Sequence, residues 1–86
     1  MKEEYQLLHD LLKQKKITYL DEMLKYVSKR LLAGDLGLTR KQLEEYWSDP
    51  DDNFLERVPR LTALLEIEEL EILNIVLRTV ARNEKK

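Results

Sequence analysis

The sequence predicts an all-α protein, a single compact orthogonal or irregular bundle of four to six short helices. Three observations carry this. The 86 residues include 18 Leu but only two Gly and two Pro, a composition of helices rather than of strands and turns. Apolar residues recur at three- and four-residue intervals in most of the longer segments. One segment, Leu38-Thr39-Arg40-Lys41-Gln42-Leu43, carries a complete helix-start signature. A chain of this size makes one domain, residues 1–86, and buries roughly 60–65% of the surface its unfolded form exposes.

The first helix is expected over 3–16. Glu3 and Glu4 open it and Lys13, Lys15 and Lys16 close it, each sign matching the helix dipole. Tyr5, Leu8 and Leu12 make its apolar stripe, widened by Leu7 and Leu11. Thr18 then reads as an N-cap, with Asp21 three residues on, and a second helix is expected over 19–33. Leu20, Leu24, Val27 and Leu31 form its seam, and Gly34 stands where a helix closes in a left-handed residue.

Thr39 and Gln42 have capping-box spacing, and Leu38 and Leu43 occupy the two positions of a hydrophobic staple. A third helix is therefore expected over 40–48, ending there because Pro50 disfavours helix at Asp49. Asp49-Pro50-Asp51-Asp52-Asn53 is a turn that caps the next helix. Pro59 cannot lie deep inside a helix, so the reading is a short helix over 52–58 and another over 59–66 with Pro59 at its first position. A final helix is expected over 68–82; one long bent helix from Pro59 is the alternative, since no Gly or Pro enforces a break. Leu70, Leu73, Leu77 and Val80 form one stripe of that last helix. Ile72, Ile75 and Val76 broaden the apolar surface well past a single face.

The same composition argues against several kinds of chemistry. Without Cys there is no disulfide framework, thiolate nucleophile or Cys-ligated zinc. The single His, His9, sits one residue off the first seam beside Asp10, where solvent is a better expectation than a base's role. Glu66, Glu68, Glu69 and Glu71 read as a solvated face. Asp49, Asp51 and Asp52 fail the calcium-loop pattern, because Pro50 intervenes, residue 54 is Phe rather than Gly, and residue 60 is not Glu. The expectation is therefore a non-enzymatic protein with no catalytic residues, metal, cofactor or small-molecule substrate. No membrane contact is expected, and the N-terminus has neither an uninterrupted apolar stretch nor a cleavage site for export, so the expected compartment is cytoplasmic.

Two modes of action remain. The net charge of −2 conceals a +5 segment over 13–41 and a −8 segment over 44–71, the kind of asymmetry that suits opposed faces of a self-complementary surface. With the over-supplied last helix, this favours protein–protein contact including a homodimer, through Leu70, Leu73, Ile75, Val76, Leu77 and Val80. Trp47 and Phe54 are expected to plug the gap between the third and fourth helices. The alternative is a small DNA-binding regulator in which the second helix, the turn 34–38 and the third helix act as a helix-turn-helix unit. Lys29, Arg30, Arg40 and Lys41 would then contact DNA. The acidic pI near 5.4 counts against that alternative.

The segment from Leu38 to Leu43 resembles phage repressor-type helix-turn-helix proteins. Phe54-Leu55-Glu56-Arg57-Val58-Pro59-Arg60-Leu61 and Leu64-Leu65-Glu66-Ile67 are similar to that family's closing helices. Between Tyr46 and Asn53 the chain departs from the pattern, being too short and too acidic to supply the family's recognition helix.

Overall fold

The computed structural model describes residues 1–85, and every described element is helical or a turn. A 3₁₀ turn, Glu3–Tyr5, leads into α1 (Gln6–Lys13). Next come α2 (Leu20–Met23), α3 (Lys29–Leu36) and α4 (Arg40–Ser48). The chain closes with α5 (Asp52–Leu55), α6 (Val58–Leu65) and α7 (Glu69–Glu84). All-α architecture is thus what the chain adopts, with five helices of eight residues or more and two single turns of helix among the described residues. The Cα radius of gyration, 11.8 Å, is that of a well-packed chain of this length. None of these helices is long and apolar enough to cross a membrane.

The core is one cluster to which every helix contributes. Tyr5, Leu8, Leu20, Leu32, Leu43, Trp47, Phe54, Leu61, Leu65 and Ile72 are all fully enclosed in it. Each of the aliphatic side chains and Phe54 contributes about 1.5–3 kcal/mol by leaving water. Trp47 and Phe54 meet edge to face with ring centroids 4.8 Å apart, joining α4 to α5.

The helix-start signature at Thr39 folds as its residues dictate. Thr39 Oγ1 accepts the Gln42 N–H at 3.1 Å and Gln42 Oε1 accepts the Thr39 N–H at 3.0 Å. Leu38 and Leu43 are both buried in the core. Asp51, from the acidic turn, is the N-cap of α5, its carboxylate accepting the Asn53 N–H at 2.9 Å.

Elsewhere the boundaries differ from the expected ones, each for a local reason. The first helix stops at Lys13 rather than 16, because Lys15 takes a left-handed conformation and the Lys16 N–H turns back to the Leu11 carbonyl. The expected second helix, 19–33, is divided. Tyr19 rather than Thr18 is the N-cap of α2, and the Glu22 carboxylate, not Asp21, accepts the Thr18 N–H. The chain then tightens into i→i+3 turns through Tyr26. Ser28 starts α3 afresh, its hydroxyl accepting the Leu31 N–H at 3.2 Å.

Gly34 consequently lies inside α3, and the left-handed terminator is Gly37 (φ 70°). The N–H groups of Gly37 and Leu38 close onto the carbonyls of Gly34 and Ala33, a Schellman closure. α5 ends at Leu55 rather than 58, and Val58 begins α6 with Pro59 still in its first turn, where a missing N–H costs nothing. Between α6 and α7 the chain breaks at Glu66 (φ 50°), although Glu66 is not a residue that favours that conformation. α7 runs two residues beyond the expected 82.

Candidate interaction surface on the last helix

α7 has three distinct sides. Its inner side, Ile72, Ile75, Val76 and Thr79, is buried. Thr79, a polar residue on that side, is satisfied twice: its Oγ1 accepts the Leu20 N–H at 3.0 Å and donates to the Ile75 carbonyl at 2.8 Å. Two of the residues expected at an interface, Ile75 and Val76, are therefore core positions, only 2% and 7% exposed.

A second side is polar and already engaged within the molecule. Arg78 donates from Nε to the Thr18 carbonyl at 3.0 Å. Arg82 pairs with Asp21 at 3.0 Å and lies over the Tyr19 ring, 4.4 Å from its centroid. Asn83 Nδ2 donates to the Ser48 carbonyl at 2.8 Å, holding the end of α7 beside the end of α4. At the other end Lys15 Nζ donates to Glu71 Oε1 at 2.8 Å, and that hydrogen bond holds the Glu71 carboxyl below the usual carboxylate range.

The third side faces outward. Leu70 and Leu77 are 65% and 67% exposed, and Leu73 and Val80 are half-buried between them and the core. Beside this stripe lies an almost wholly apolar groove of about 400 Å³, lined by Pro50, Asp51, Leu55, Leu73, Val76, Leu77 and Val80. Leu55 is itself 43% exposed. Four of the six interface residues named from sequence thus lie on the outward stripe. The groove's far wall, Pro50 and Leu55, escaped sequence reasoning because it comes from α5 and the turn before it, distant in sequence from α7.

The basic residues proposed as DNA contacts lie on α3 and α4. Lys29 Nζ and Arg40 Nε converge on one carboxylate, Glu44 Oε1, at 3.4 and 3.3 Å, so half of the proposed cationic set faces a nearby anion. Arg30 and Lys41 are exposed. His9, expected in solvent, is instead partly buried, and its Nδ1 lies 2.8 Å from the Leu65 carbonyl. Only a ring N–H can donate to that oxygen, so the contact selects the Nδ1–H tautomer or the protonated ring and closes the end of α6.

Fold and surface together define a class: a small all-helical chain with an exposed apolar stripe on its longest helix. No family model, no curated protein and no solved structure matches the chain.

Proposed function

We propose that this chain works as a non-enzymatic protein-interaction domain, with the outward stripe of α7 and the adjoining groove as its contact surface, and that self-association is part of that behaviour. The observation that carries the reading is the exposure of Leu70 and Leu77 next to a groove walled by Leu55 and Pro50. Scattered surface leucines are ordinary; a contiguous stripe continued into an apolar groove is the form a contact site takes. The cytoplasm is the proposed compartment.

Sedimentation across a protein concentration series tests the proposal, using the wild type, Leu77→Glu and Val76→Glu with circular dichroism as the control for folding. The wild type is expected to associate. Leu77→Glu should be monomeric and as helical as its parent, because Leu77 is mostly exposed, whereas Val76→Glu should unfold. A wild type that stays monomeric and binds DNA with steep salt dependence would overturn this reading in favour of the basic residues of α3 and α4.

A further inference from the structure

We infer that the partner of this surface is a second copy of the chain, paired antiparallel about a two-fold axis that crosses the outward face of α7 between Leu73 and Leu77. The inference rests on the reading of that face as a contact surface and adds to it an occupant, an orientation and a register.

The spacing of the stripe is self-complementary. Leu70, Leu73, Leu77 and Val80 are separated by three, four and three residues, a series that reads the same in both directions. Two such stripes laid antiparallel match along their whole length, placing Leu70 against the partner's Val80 and Leu73 against the partner's Leu77. Each pair occurs twice, as a two-fold interface requires, and gives four apolar layers. Leu55 and Pro50 beside the stripe extend the seat on both copies.

Charge chooses the orientation. The start of α7 carries Glu68 and Glu69, both exposed and neither in an ion pair among the described residues. Beyond Val80 the sequence carries Arg82, Lys85 and Lys86 against Glu84. A parallel pair would set acidic start against acidic start and basic end against basic end. An antiparallel pair instead sets Glu68 and Glu69 toward the partner's basic end, where Lys85 is exposed, and opposes the two helix dipoles favourably as well. On the side of α7 away from the groove, Arg78 and Arg82 are drawn back to Thr18 and Asp21, which leaves the stripe clear for close approach.

Because the chain has no cysteine, single-cysteine variants read the arrangement directly. Leu70→Cys and Val80→Cys, one of them mass-tagged, are oxidised separately and as a mixture, alongside sedimentation of the wild type. In the antiparallel register two copies of residue 70 lie about 15 Å apart along the axis, beyond disulfide reach, whereas residue 70 lies next to the partner's residue 80. The mixture should therefore form the mixed disulfide several-fold faster than either variant forms its own. A dimeric wild type whose Leu70→Cys variant crosslinks to itself as fast as the mixture would overturn the antiparallel arrangement alone. So would a dimer in which neither position crosslinks. A wild type that sediments as a monomer would overturn both this inference and the reading of the surface beneath it.

Discussion

The hydroxyl of Thr79 on α7 accepts the backbone N–H of Leu20 on α2 at 3.0 Å, in the middle of an otherwise apolar core. This bond satisfies a donor at the first residue of α2, where no intrahelical acceptor exists. Thr79→Val keeps the shape and removes the acceptor, leaving the Leu20 N–H buried and unpaired. It should cost about 1–3 kcal/mol in a urea titration, and Thr79→Ser should cost less. Equal stability of Thr79→Val and the wild type would show that the bond contributes nothing net.

Two glycines three residues apart should respond with opposite sign. Gly34 lies within α3 with nothing within 4 Å of the position an added Cβ would take. Gly34→Ala should stabilise the fold by about 0.5–1 kcal/mol through backbone entropy. Gly37 has equal space but a φ of +70°, so Gly37→Ala should cost about 1–2 kcal/mol. Thermal denaturation of the pair checks both signs at once.

Ser28 is the residue that divides the predicted second helix. Ser28→Ala removes the acceptor for the Leu31 N–H and should cost about 1 kcal/mol, the usual cost of losing an N-cap. The urea midpoint should fall with no change in slope, as it would for a purely local loss.

Tyr5 and Asp35 give the fold a two-sided dependence on pH. The Tyr5 hydroxyl donates to Asp35 Oδ2 at 2.6 Å, and Lys2 Nζ donates to the same carboxylate at 2.9 Å. The Tyr5 bond foremost, then Lys2, holds the Asp35 carboxyl below its ordinary range, while burial first and then Asp35 push the Tyr5 hydroxyl upward. A depressed carboxyl stabilises the fold above its unfolded pKa, near 3.9, and that contribution is lost as pH falls through the folded value. A raised phenol stabilises the fold below its unfolded pKa, near 10, and that contribution is lost as pH rises beyond it. The stability difference between the wild type and Tyr5→Phe should be about 1 kcal/mol at neutral pH and shrink toward both extremes. Chemical denaturation across pH 3 to 11 would reveal it, and a difference unchanged over that range would contradict the assignment.

What could be read from the sequence was whatever neighbouring residues settle among themselves. Thr39, Gln42 and the flanking Leu38 and Leu43 lie within six residues, so the capping box forms as its spacing dictates. Asp51 caps α5 and Pro59 sits in the first turn of α6 for equally local reasons. Composition and apolar period settled the helical class in the same way, because a 3.6-residue repeat has no other regular use.

The tertiary structure decided where competing local signals gave way. Gly34 reads from sequence as the end of the second helix, whereas the chain starts a new helix after Ser28 and closes it at Gly37, with Val27, Leu32 and Ala33 buried together. Glu66 accepts a left-handed conformation because burial of Leu65 and Ile67 on either side of it outweighs the strain of one residue. The apolar excess of the last helix was visible as an excess, but not its division into an inner side and an outer one. Only the packing of α2 and α6 against α7 assigns Ile75 and Val76 inward and leaves Leu70 and Leu77 in solvent. Periodicity states how many apolar positions a helix carries, and the neighbours that reach them state how many remain uncovered.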